Sequence, residues 1–102
     1  KYKGSQINVK IKESYSNMLE KIKPHMHLIK NAAEAIEELG TTPISGLIRG
    51  ATDGAVLSYK GLPCPNLGTG SFNHHSVREF ADVSQMEKSV ELILKIIGKY
   101  AK

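Results

Sequence analysis

The hydrophobic pattern changes period along the chain. Between residues 6 and 16, Ile7, Val9, Ile11 and Tyr15 fall on one parity, and Asn8, Lys10, Lys12 and Ser14 on the other. Period two in β-branched and aromatic residues predicts a half-buried strand over 6–16. Its lysines line the solvent face or guard an edge against stray pairing. Further on, Ile29, Ala32, Ala33, Ile36 and Leu39 recur at the spacing of one face of an amphipathic helix. Pro24 suits the first position of that helix, where its missing N–H costs nothing. Gly40 stands where a left-handed C-cap belongs. The short apolar run 44–48 predicts a buried strand, followed by the glycine-rich turn 49–54. Asp53 is the expected N-cap of a short helix over 54–60, which Gly61 stops. Residues 62–67 predict another short strand, pushed to an edge by Pro63 and Pro65, and 68–76 a loop. Ser84-Gln85-Met86-Glu87 reads as a capping box. It opens a helix over 85–100, whose Val90, Ile93, Leu94, Ile97 and Ala101 repeat at helical spacing. The element order predicts an α/β fold with a partly parallel sheet.

Composition narrows the class. At 102 residues the chain has one domain's worth of length, and 40% apolar with 24% charged residues excludes a disordered or collagen-like chain. No apolar run approaches the length of a membrane span, and no charged segment followed by an apolar one reads as a signal peptide. Cys64 is the single cysteine, so an intramolecular disulfide is excluded and a reducing, cytoplasmic location is expected. The net charge of +4 is concentrated at one end: residues 1–23 carry six lysines against two glutamates, and the remainder is balanced. Nucleic-acid binders pair such a stripe with arginines and stacking aromatics. With Arg49 and Arg78 as its arginines, the chain is not expected to bind nucleic acid.

The residues that could carry chemistry cluster between 49 and 80, where Arg49, Asp53, His74, His75, Arg78 and Glu79 fall on loops at predicted strand ends. Open α/β sheets place their ligand sites there. His75 is followed four residues later by Glu79; imidazole is the commonest zinc ligand, and a carboxylate can orient it or complete its site. Taken by itself the spacing is a weak signal, and it reads first as an exposed loop histidine beside a structural ion pair. Arg49, in its turn, could clamp a carboxylate in bidentate fashion, or be an ordinary surface arginine. His25 and His27 would point about 200° apart on a helix and so could not share an ion; they read as surface residues. Cys64, between two prolines, reads as inert packing. The glycines of 50–54 lack the Gly-Lys-Ser/Thr of a phosphate-binding loop.

Five segments add a resemblance. They are Glu13-Ser14-Tyr15-Ser16-Asn17-Met18, Ile48-Arg49-Gly50-Ala51-Thr52-Asp53-Gly54-Ala55, Leu57 through Asn66 with its Gly-Leu-Pro-Cys-Pro-Asn, Asn73-His74-His75-Ser76-Val77-Arg78-Glu79-Phe80, and Met86-Glu87-Lys88. In this order they resemble the C-terminal portion of the peptidase T family. These are tripeptide aminopeptidases of the di-zinc aminoacylase/carboxypeptidase superfamily. The resemblance covers residues from about 4 to 100.

It implies that residues 20–102 are the C-terminal part of a zinc peptidase catalytic domain. Residues 1–19 would be the end of a lid or dimerisation domain, with a homodimer formed through the strand at 6–16. It implies His75 as a zinc ligand, Arg49 as the residue holding a short peptide substrate, and Glu79 and Asp53 as supports. Ala51, Ser76 and Glu13 depart from the family's more usual glycine, glycine and aspartate. The other zinc ligands, the bridging carboxylate and the general base have no counterpart here. Metal-assisted hydrolysis in this superfamily uses two ions, about 3.5–4 Å apart in such centres, so this stretch alone is expected to hold one partial site, to contain no catalytic residue and to be inactive. The alternative is a non-catalytic α/β module acting through protein contacts.

Overall fold

The computed structural model describes residues 3–13, 15–48 and 50–101. The chain is α/β: helix α1 (Leu19–Ile22), a 3-10 turn (Lys23–His25), α2 (His27–Glu38), α3 (Asp53–Tyr59), strands β1 (Ser71–Phe72) and β2 (Phe80–Ala81), and α4 (Val83–Tyr100).

The helix stops follow from local chemistry. After α2, Gly40 at φ +75° lets its own N–H reach Glu37 O and the Thr41 N–H reach Ile36 O, at 2.9 and 3.2 Å. Gly61 at φ +98° does the same after α3, where Gly61 N–H donates to Ser58 O and Leu62 N–H to Leu57 O. Both are the paired closing bonds that only a left-handed residue allows. The starts shift slightly. Pro24 opens the 3-10 turn rather than α2 itself. Thr52, not Asp53, caps α3, accepting from Ala55 N–H, and Asp53 becomes its first residue. Asp82, not Ser84, caps α4: its carboxylate accepts from Ser84 N–H at 2.9 Å and Gln85 N–H at 3.3 Å. The Ser84 hydroxyl, chiefly, and these N–H groups hold that carboxyl below the usual aspartate range.

The expected partly parallel sheet is corrected to a two-stranded antiparallel hairpin, with Ser71 opposite Ala81 and Phe72 opposite Phe80. The stretches 6–13, 44–48 and 62–67 carry no strand among the described residues. A strand persists only when a neighbour takes up its N–H and C=O groups, and none of the described residues supplies one. Ile7, Val9 and Ile11 accordingly stand open, 75–93% exposed.

α2 and α4 pack antiparallel. Lys95 and Lys99 reach Glu38 at 3.3 and 2.8 Å, Lys99 reaches Glu34 at 3.4 Å, and Tyr100 OH meets His27 Nδ1 at 2.9 Å. Lys99 in particular holds the Glu38 carboxyl below its ordinary range, and Glu38 in turn raises Lys99. Between the helices Ala35 and Leu92 are buried. The stripe that marks this helix in the sequence, Val90, Ile93, Leu94 and Ile97, is 48–64% exposed. α4 is thus apolar on two sides, the mark of a helix built to be covered on both. Elsewhere, Ile22, Ala55 and Ser58 are buried where α1 and α3 meet, tied by Tyr59 OH donating to Asn17 O at 2.9 Å.

The exposed area is 8943 Å², against about 5700 Å² for a compact monomer of this mass. The radius of gyration is 18.9 Å, against about 13 Å for a compact domain of this length. Among the described residues, no helix is long and apolar enough to cross a membrane.

Candidate functional site

The hairpin β1–β2 presents residues 73–79 as a loop. Its base is set by Phe72 and Phe80, whose rings stack at 5.0 Å, and by Asp82 N–H donating to Gly70 O at 2.9 Å. Gly70 lets the hairpin sit directly on the first turn of α4: a Cβ there would stand 2.8 Å from Gln85 Cβ. The loop therefore projects from a fixed base.

Two non-glycine residues in the loop adopt the left-handed region, Asn73 at φ +56° and His75 at φ +63°. Asparagine tolerates that region; histidine does so at a cost of order 1 kcal/mol. Side chains of the loop itself hold the conformation. Ser76 Oγ donates to Asn73 O at 2.8 Å and accepts from Arg78 N–H at 3.1 Å. Asn73 Nδ2 donates to Arg78 O at 3.3 Å, and Glu79 N–H to Ser76 O at 3.1 Å. The Glu79 carboxylate accepts from the His75 backbone N–H at 3.0 Å. Glu79 thus meets the main chain of His75, leaving the imidazole unengaged by any hydrogen bond among the described residues. His74 differs: its Nε2 lies 2.7 Å from Ser71 Oγ, inside the hairpin.

Asp53 lies on the first turn of α3 and makes no bond to the 73–79 loop among the described residues. Arg49, expected to hold substrate, lies outside the described residues. Asp53 belongs to a second assembly. There α3 lies against residues 64–66: Cys64 N–H donates to Ser58 Oγ at 2.9 Å, Ser58 Oγ donates to Gly54 O at 2.7 Å, and Asn66 Nδ2 donates to Thr52 Oγ1 at 3.3 Å. Cys64 is half-buried. His25 and His27 stay exposed, but the break between the 3-10 turn and α2 brings their rings to 6.1 Å, not to opposite sides of a helix.

The fit to a metal can be tested on donors. Among the described residues, no three His, Cys, Asp or Glu side chains come together to hold an ion. His75 can offer one imidazole; a full tetrahedral site takes three or four protein donors. The residues present fit a single ligand of a shared centre, not a whole one. Sequence reasoning missed Asn73 and Ser76 as the residues that shape the loop. An asparagine preceding two polar residues and a serine was the available signal for a left-handed turn.

Comparison with known proteins bears on the same residues. A match to peptidase family M20/M25/M40 spans residues 6–99. The chain is 51% identical over 102 residues to peptidase T of Alkaliphilus oremlandii, covering 100% of this chain and 25% of that protein. It is 52% identical over 101 residues to peptidase T of Halothermothrix orenii, covering 99% of this chain and 25% of that protein. Against peptidase T of Desulfitobacterium hafniense the identity is 50% over 101 residues, again 99% of this chain and 25% of the relative. The chain spans about a quarter of the length of the curated relatives it matches.

Proposed function

Since the chain belongs to peptidase family M20/M25/M40, we propose that it serves as the C-terminal portion of a cytoplasmic, zinc-dependent aminopeptidase that releases the first residue of tripeptides. The reading rests on one observation above others: about half the positions match proteins named peptidase T along 99–100% of the chain. In this proposal residues 20–102 belong to the catalytic domain, and 1–19 end a lid or dimerisation domain through which two copies pair.

His75 is the residue of this chain that would hold metal. Its loop, braced by Ser76, Asn73 and Glu79, presents an imidazole with no competing hydrogen bond among the described residues. A bound zinc pair supplies polarisation of the peptide carbonyl and activation of water. The residues of this chain do the rest of their work by position. Glu79 fixes the backbone of His75, so that the ring cannot swing with the loop. Arg49, with its planar two-pronged donor, would bind a carboxylate or carbonyl of the peptide. Asp53 would support the turn that carries Arg49. Since no three metal donors come together among the described residues, the 102-residue chain alone would not turn over peptide.

The test is metal analysis and tripeptide kinetics on the full-length protein. His75→Ala should lower zinc content and activity together. Normal activity in that variant would refute the assignment.

A further inference from the structure

We propose that His74 is a positioning residue for its neighbour His75, holding the main chain of His75 in place relative to the base of the hairpin; this rests on the reading of His75 as a zinc ligand. The two adjacent histidines stand in different situations. Among the described residues the His75 imidazole makes no hydrogen bond, its backbone N–H alone meeting Glu79. His74 Nε2 lies 2.7 Å from Ser71 Oγ, which in turn lies 2.7 Å from Thr69 Oγ1. That chain of three side chains ends on a strip seated on α4. Gly70 O accepts from Asp82 N–H at 2.9 Å, and Gly68 O accepts from Ser89 Oγ at 3.3 Å. Gly70 lies so close to the first turn of α4 that a Cβ on it would stand 2.8 Å from Gln85 Cβ.

The reach of the other bonds makes this one matter. The bonds of Ser76 Oγ with Asn73 O and Arg78 N–H, of Asn73 Nδ2 with Arg78 O, of Glu79 N–H with Ser76 O and of His75 N–H with the Glu79 carboxylate all join residues 73–79 to one another. They give the loop its shape, including φ +63° at His75, but a body braced from within can still tilt on its two strand ends. Those ends are strands of two residues each, too short to resist a tilt by themselves. Among the described residues, the His74–Ser71 contact is the side-chain bond that leaves the loop and reaches its base. His74 and His75 share a planar peptide unit, so anchoring the first side chain restrains the main chain from which the second projects. A metal ligand must be held within about 0.5 Å of its working position, and a free tilt of the loop would act directly against that.

The experiment uses the full-length enzyme. Zinc affinity is measured by competition against a chelator, and ligand geometry is read from the visible absorption of the cobalt(II)-substituted protein. Ser71→Ala and His74→Ala each remove one partner. Each should weaken zinc binding about tenfold, the lower end of what a supporting partner of a metal ligand is worth, and alter the cobalt spectrum. Ser71→Thr and His74→Gln, which keep a hydrogen-bonding group in reach, should restore both readouts. The two alanine changes together should cost less than about twofold beyond either alone, because they break the same bond. Zinc affinity and spectrum unchanged in both single variants would overturn the positioning role, whatever happened to stability. So would additive losses in the double variant, which would leave the zinc-ligand reading of His75 standing. Loss of a whole equivalent of zinc in His74→Ala would make His74 a ligand itself and overturn the role as well. Full zinc retention in His75→Ala would instead refute the ligand reading, and the role with it.

Discussion

Replacing Gly54 with alanine should destabilise the protein, although alanine is the better helix former. In an open helix the exchange gains about 0.5–1 kcal/mol. At Gly54 the new methyl would lie 2.5 Å from the Cys64 carbonyl oxygen, which is main chain and cannot rotate aside. To reach ordinary contact, α3 and the 64–66 strip must part by about 1 Å, and overpacking of this kind costs about 1–3 kcal/mol. Parting them also stretches the half-buried bond from Cys64 N–H to Ser58 Oγ, now 2.9 Å, worth about 1 kcal/mol. Against the helix gain, the net is a loss of about 2 kcal/mol. Gly98, in α4 with nothing within 4 Å of its would-be Cβ, receives the same change without the clash and should gain about 0.5–1 kcal/mol. Denaturant midpoints of the two full-length variants, compared at unchanged slope, measure the difference. A Gly54→Ala protein as stable as the parent would show that the close approach of α3 to Cys64 is not a packing constraint.

In the full-length enzyme, His75→Ala should lose zinc and several orders of magnitude in rate. Arg49→Lys should keep its zinc and lose about 10²–10³ in kcat/KM, with Lys88→Ala, on the exposed side of α4, as the unaffected control; zinc loss in Arg49→Lys would reverse its assignment. The 102-residue chain alone should bind zinc weakly, since it brings no three donors together among the described residues, and a tight stoichiometric site in calorimetry would contradict this. The cap of α4 should be acid-sensitive. The Asp82 carboxyl titrates below its unfolded value, so its contribution is complete above the ordinary aspartate pKa and is lost as pH falls through the lowered one. Asp82→Asn should flatten the acid limb of the stability profile, and an unchanged limb would show that another carboxylate controls it.

What the sequence made legible was what neighbours in the chain decide. Gly40 and Gly61 end their helices through bonds that span five residues or fewer, so residue order alone foretold them. The caps came out close, but Thr52 and Asp82 displaced Asp53 and Ser84 because several good capping residues stand side by side and only geometry chooses among them. The strands at 6–16, 44–48 and 62–67 were not realised among the described residues. Alternation announces a strand's faces but cannot supply its partner. The hairpin escaped notice for the opposite reason: two residues on each side are too few to show a period. α4 misled by being apolar on two faces, of which the one carrying Leu92 is buried and the one carrying Val90, Ile93, Leu94 and Ile97 is open. At the site, His75 and Glu79, four positions apart, meet through the His75 N–H and the Glu79 carboxylate. That the carboxylate would meet the backbone rather than the ring depended on a left-handed His75, which no pattern of polarity encodes.

The hairpin loop also sets a limit on length. Phe72 and Phe80 are matched across the ladder, and the seven residues between them are joined to one another at offsets of three, four and five. Inserting or deleting one residue anywhere from 73 to 79 would break one or more of those bonds or slip the ladder, and a slip of one turns every side chain to the other face. Most surface loops accept changes in length at little cost. This one should accept changes of residue type at Val77, which points wholly into solvent, yet tolerate no change in count, so natural variants and engineered insertions should preserve its seven positions even where their chemistry drifts.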